Sequence, residues 1–224
     1  MSAQKRNVAG LRPNRDRGGK AGGRDAKANL DLALRISLHL DMRNAPFPRS
    51  VTNRLILRRV NAADAVATAE LMTPEVSRWL ASWPFPLTEE VAGARILAAR
   101  KWAVAGDAAP FAVVLKASGD LIGWVSIIRD RERPERGALG YWFGEKYMGN
   151  GYMREAAPIA IAAAFEFLKL DVIEAAAQQA NSRSLAVMRG CGMKLVGQRM
   201  VHAPSRGRYE LCDVYEIERP NAGI

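Results

Sequence analysis

Gly149-Asn150-Gly151 lies between an apolar stretch ending in Tyr141-Trp142-Phe143 and an alanine-rich stretch that opens at Tyr152. The pattern reads as a strand, a glycine turn and a helix start. Glycine lets such a turn close tightly and approach a ligand. The first N–H groups of the helix have no intrahelical acceptor, and its dipole adds partial positive charge there. Together these features suit a phosphate or pyrophosphate, although the same spacing also occurs in ordinary strand-to-helix turns. A dinucleotide fingerprint would need a third glycine where Arg154 stands, and a place on the first strand of a βαβ unit. NAD binding is therefore rejected. A P-loop is rejected too, because no Gly-Lys-Ser/Thr closes the motif.

The elements that must position this turn follow from periodicity and punctuation. Leu55–Leu57 reads as a first strand, and Asn61-Ala62-Ala63-Asp64 offers an N-cap to a helix over Ala65–Met72. Pro74 opens a second helical stretch to about Leu80, and Thr88-Glu89-Glu90 caps a third reaching about Val104. Phe111–Lys116 and Leu121–Ile128 flank a Gly-containing turn as a hairpin, followed by a strand over Gly137–Phe143. A long helix spans Gly151–Leu168, with Pro158 expected to kink it. Its many alanines imply close packing against a sheet. Val172–Gln178 is a strand, Ser182–Arg189 a helix, and 194–202 with 208–218 a closing hairpin. The expected fold is a single α/β (α+β) domain over 51–219, with a mixed, mostly antiparallel central sheet flanked by helices.

Composition narrows the class further. With 224 residues, 49% hydrophobic and 25% charged, the chain can build one full core. Two cysteines, Cys191 and Cys212, argue against a disulfide framework and for a reducing cytoplasm. Two histidines and no C-x-x-C pair leave little material for a zinc site, and no metal is expected. The longest apolar run, 156–165, is too short to cross a bilayer, so no membrane contact is expected. The net charge of +10 is uneven: residues 1–50 hold 11 Lys+Arg against 4 Asp. This Gly- and Arg-rich leader is expected to be disordered, with at most a short amphipathic helix over 30–40. It is read as a solvated tail in preference to an RNA- or ribosome-contacting arm. Residues 220–224 are read as a tail.

The order of elements and several motifs together resemble one family, the GNAT N-acetyltransferases, in particular the branch that includes ribosomal-protein alanine acetyltransferases. The resemblance covers roughly residues 51–219. It rests on Thr52-Asn53-Arg54-Leu55-Ile56-Leu57-Arg58, Gly140-Tyr141-Trp142, Gly149-Asn150-Gly151-Tyr152 with Glu155-Ala156, and Asn181-Ser182-Arg183-Ser184 followed by Gly192-Met193-Lys194-Leu195-Val196-Gly197. The resemblance implies that acetyl-CoA is the co-substrate. Main-chain N–H groups of Gly149, Asn150, Gly151, Tyr152 and Met153 would hold its pyrophosphate, with Met148 in the same segment. The strand end at Phe143 would splay open toward the thioester and pantetheine. Asn181 matches the pantetheine-contacting asparagine, and Ser184 the serine near the thiolate. Three positions depart from the family pattern: Met148 replaces Gln or Arg, Met153 replaces Gly or Ala, and Met188 replaces a frequent tyrosine.

Acyl transfer to an amine needs an unprotonated amine, donors for the developing oxyanion and a proton for the leaving thiolate. Ser184 is the first candidate for the last role. His202 is a candidate base because its unperturbed pKa lies near neutrality, and Glu145 and Tyr147 are alternatives. Proximity supplies much of the acceleration whichever group serves. Trp83 and Tyr141 are expected to face the acceptor, with the other aromatics mostly in the core. The expected function is acetyl transfer to a primary amine, either a protein N-terminus or a small molecule, by direct transfer in a ternary complex. A non-catalytic acyl-CoA-binding protein on the same fold is the alternative. A monomer or homodimer is expected.

Overall fold

A computed structural model of the chain describes residues 49–220. The expectations for the basic leader, the 30–40 helix and the last four residues lie outside that range.

Strands β1 (Ser50–Val51) and β2 (Leu55–Arg59) lead into a 3-10 turn at Ala62–Asp64 and helix α1 (Ala65–Leu71). The turn is closed by a capping box. Asn61 accepts from the Ala63 N–H, and the Asp64 carboxylate accepts from the Asn61 N–H, an arrangement that contributes about 1 kcal/mol. Helix α2 (Pro74–Ser77) is shorter than its periodicity suggests. The Leu80 carbonyl beyond it is held by Ser205 and Arg206 instead, which leaves Trp79–Trp83 as a loop. Helix α3 (Glu89–Ala105) is capped by Thr88 and stopped by Gly106.

The antiparallel strands β3 (Ala108–Leu115), β4 (Leu121–Arg129) and β5 (Arg136–Phe143) follow, then helix α4 (Tyr152–Leu168) and strand β6 (Val172–Gln178). Helix α5 (Ser182–Gly190) and the hairpin β7 (Lys194–Ala203) with β8 (Arg208–Glu218) complete the order. One eight-stranded sheet results, ordered β1-β2-β3-β4-β5-β6-β8-β7. Its pairs are antiparallel except β5 with β6, which are parallel because α4 crosses between them. The two-residue β1 carries no periodicity of its own and was not anticipated from sequence.

Both faces of the central strands are covered, and for that reason β3 reads as an unbroken apolar run. Alternate residues separate into two cores. Phe111, Val113, Val125 and Ile127 pack under α4, whose Ala156, Ala157, Ala160 and Ala164 are fully buried. The alanines thus bring α4 close to the sheet, and Pro158 lies on its exposed side. Ala112, Val114, Trp124 and Trp142 face the other way, against α1 and α3. Among the described residues, no helix is long and apolar enough to cross a membrane.

Candidate functional site

The sheet opens in the middle. β5 and β6 pair only at Arg136–Val172, Gly137–Ile173 and Ala138–Glu174, although the strands run on to Phe143 and Gln178. Beyond Ala138 they diverge. The register continues on the other side of each strand, β5 with β4 and β6 with β8, so the gap is local. A cavity of about 930 Å³ occupies it. The lining includes Leu139, Tyr141 and Ala175 from the α4 face, and Gly140, Trp142 and Ala176 from the opposite face. Since neighbouring residues of a strand point to opposite faces, the cavity passes through the sheet at the split.

At one end of this passage stands the glycine turn. Gly149 and Gly151 have φ of 79° and 74°, the left-handed region where a side chain costs about 1–2 kcal/mol. Gly151 is the N-cap of α4 and supplies no side-chain cap, which leaves the first amides of a 17-residue helix available to an anion. Arg154 and Arg183 line the cavity beside it. Arg54, just before β2, ties the turn down. Its Nη1 donates to the Asn150 carbonyl (3.0 Å), its Nε to Glu155 (2.7 Å), and its guanidinium lies 4.5 Å from the Tyr152 ring centre. Burial pushes the Glu155 carboxyl up. Hydrogen bonds from the Thr52 hydroxyl and the Arg54 main chain and guanidinium outweigh that effect and hold it below its ordinary value. An ionised Glu155 in the first turn would oppose a bound phosphate, and Arg54 neutralises it.

Helix α5 edges the middle of the passage. Asn181 caps it, accepting from the Ser184 N–H at 3.1 Å. Its side-chain oxygen is thus engaged in the cap, while no hydrogen bond is made by its amide NH2 among the described residues. The Ser184 hydroxyl lies 2.8 Å from the Tyr141 hydroxyl, which also donates to the Ser184 carbonyl at 3.1 Å. Burial drives the Tyr141 phenol well above its usual range, so it stays protonated. Tyr141 therefore joins α5 to β5, across the split, besides lining the cavity. Phe143, Met148, Tyr152 and Met153 line the cavity as well, as does Met188.

Other candidates stand apart. His202 projects from the outer face of the β7–β8 hairpin, with its ring 4.9 Å from Tyr209, and does not line the cavity. The neighbouring Arg199 and Val201 do, because they have the opposite parity on the strand. Glu145 is exposed and accepts from the Thr73 hydroxyl at 3.1 Å, again outside the cavity. The structure thus brings neither carboxylate nor imidazole of those two residues to the split, whereas Tyr147 does reach the lining.

The lining also holds Trp83, expected at the acceptor, together with the other tryptophans and a buried acid. Trp79, Trp83, Trp102, Trp124 and Trp142, all five tryptophans of the chain, border it. Glu174, at the last position where β6 pairs with β5, is 6% exposed and is the one carboxylate in the lining among the described residues. Arg199 holds it, with Nη1 3.2 Å from Oε2, and Arg136 and Arg133 stand 3.7 and 3.8 Å away. The only sequence signal was an acidic residue inside an apolar strand, Ile173-Glu174-Ala175.

Residues 54–194 match the acetyltransferase (GNAT) domain family. A Bacillus licheniformis protein described as an uncharacterized N-acetyltransferase, p20, is 28% identical over 167 residues, covering 73% of this chain and 91% of its own. A Vibrio cholerae structure described as a putative ribosomal-protein-serine acetyltransferase superposes with a TM-score of 0.62 at 26% identity, covering 79% of this chain and all of that one. RimJ of Mycobacterium smegmatis, solved with a CoA disulfide, shares the fold at a TM-score of 0.65 and 20% identity, over 76% of this chain and 84% of its own.

Proposed function

The chain belongs to the GNAT acetyltransferase family, and from that premise we propose that it is an N-acetyltransferase moving the acetyl group of acetyl-CoA directly onto a primary amine. One observation carries this reading: a single cavity crosses the sheet at the β5–β6 split, with an anion-suited mouth on one side and an aromatic bay on the other. Two substrates entering from opposite faces meet at the gap, which is the arrangement a ternary complex needs.

Main-chain N–H groups at the turn and the first turn of α4 bind the CoA diphosphate, with Arg154 and Arg183 beside them. β5 beyond Ala138, freed from β6, offers main-chain donors to the thioester oxygen as charge develops there. The amine attacks as its free base, forming the C–N bond while the C–S bond breaks. Its surplus proton passes to water. As Ser184 gives its hydroxyl proton to the departing thiolate it takes one from Tyr141, and Tyr141 regains a proton from that water, so the proton lost by the amine ends on the thiol. With His202 and Glu145 away from the gap, the rate rises with pH as the acceptor amine deprotonates. The ribosomal-protein acetyltransferases among similar structures make protein N-termini one class of acceptor to test, alongside small amines.

The experiment is thiol release from acetyl-CoA with a panel of peptides, amino acids and polyamines, the products being identified by mass spectrometry. Acetylated amine equal in amount to released CoA is expected. Tight CoA binding with no acetylated amine across the panel would instead leave a non-catalytic acyl-CoA-binding protein. Gly151→Trp and Asn181→Ala should each weaken CoA binding; wild-type affinity in both would remove the proposed cofactor mouth.

A further inference from the structure

The aromatic bay has features that the transfer chemistry does not require. Across three neighbouring strands, Pro110, Ser126 and Gly140 stand side by side on one face of the sheet. They form a trough with no large side chain in it. The adjacent row on the same face is Ala112, Trp124 and Trp142. Trp83 meets both of those indoles edge-on, with centroids 5.4 and 5.2 Å apart and planes at 70° and 63°. Trp79 is half-buried and Trp102 is 41% exposed, although both line the cavity. Indole surface left uncovered around a trough of small residues is a receptacle for a flat ring.

The charges of the bay point the same way. Arg95, on α3, lies with its guanidinium 4.8 Å from the Trp83 ring centre and donates to the Ser82 carbonyl. It has no carboxylate partner among the described residues, and its Nε is buried without any hydrogen bond. Burial lowers its pKa, with no counter-charge to offset that cost. A partly buried guanidinium that lacks a counter-charge and keeps an unused donor would gain a charge-assisted hydrogen bond from an incoming anion. Glu174, by contrast, is already held by Arg199. A polycationic acceptor would therefore find no free acid here.

Building on the N-acetyltransferase reading, we propose that the acceptor is a small aromatic amino-carboxylate, an aromatic α-amino acid in type. Its ring would lie in the trough among the tryptophans, and its carboxylate on Arg95. The amine would then be presented to the split.

The test compares acceptors on the full wild-type chain: tryptophan and phenylalanine against tryptamine (no carboxylate), alanine (no ring), spermidine and an alanine-headed peptide. The aromatic amino acids should show kcat/KM at least about tenfold above each of the others, as expected when a charged hydrogen bond or a buried ring is lost. Tryptamine equal to tryptophan would overturn the role of Arg95, and alanine, spermidine or peptide as the best acceptor would overturn the aromatic class. Equilibrium dialysis of tryptophan and tryptamine with CoA present reads the same preference without turnover. Preferential tryptophan binding with no acetylation of any amine would therefore sink the enzyme reading alone, and equal or absent binding of the two would sink the acceptor class. Arg95→Met should bring the tryptophan-to-tryptamine ratio toward one, and Arg95→Lys should restore part of it. An unchanged ratio in Arg95→Met counts against the assignment.

Discussion

Ser184 and Tyr141 form a hydroxyl pair whose value lies in its protonation state. Tyr141 stays neutral because burial disfavours the phenolate, so the pair has a proton to give at any working pH. Ser184→Ala should lower kcat by about a hundredfold, the scale of general-acid contributions, with CoA affinity close to wild type by calorimetry. Tyr141→Phe should give a smaller loss in the same direction. Wild-type turnover in Ser184→Ala would assign protonation of the thiolate to solvent. Glu210 is a second residue whose charge matters. Hydrogen bonding to Arg206 holds its pKa at about 2, although partial burial opposes this. A depressed carboxylate pKa stabilises the fold above the unfolded value near 4.5, and that contribution is lost as pH falls from there toward 2. Wild-type Tm should therefore exceed that of Glu210→Gln by a few degrees at pH 7, and the gap should narrow below about pH 4.5. A gap that is constant with pH would mean that packing alone is lost.

Two elements set the access to the passage. At the mouth, the left-handed Gly151 lets β5 turn into α4 with the helix amides exposed. Gly151→Ala has steric room, since the nearest atom to its Cβ is an Arg54 nitrogen at 3.7 Å, but its φ of 74° makes it strained. A loss of about 1–2 kcal/mol in stability and a weaker CoA complex should appear together; weakened stability alone would show that the turn only shapes the chain. At the bay, the β7–β8 turn is fastened to the Trp79–Trp83 loop. Arg206 donates to the Leu80 carbonyl at 2.8 Å, and Ser205 to the Ala81 carbonyl at 2.9 Å. Arg206→Ala should raise the acceptor KM several-fold while leaving CoA affinity unchanged, as measured by steady-state kinetics and titration. These elements were partly legible. Asn61 and Thr88 were readable as caps because capping chemistry is local, and Gly149 and Gly151 because their backbone demands are. Helix α2 is shorter than its pattern suggests, and the carbonyls of Ser77, at its end, and Leu80, beyond it, accept from Arg206 and Ser205, about 125 positions away, a contact that no local pattern carries.

At the scale of the molecule, the sheet is interrupted by a defect. Seven continuous ladders would seal the domain; releasing β5 from β6 after Ala138 makes a slot through it. Periodicity, caps and glycine turns determined the order of elements, the mixed sheet and the position of the glycine turn before α4, since each is written within one turn or one strand. Tertiary structure decided the rest. Strand parity turned His202 outward and Arg199 inward. Register set Pro110, Ser126 and Gly140 in one row, and packing gathered five tryptophans scattered over 64 positions around one cavity. Such convergence depends on which strand lies beside which and how far their hydrogen bonding runs, quantities fixed only when distant segments meet.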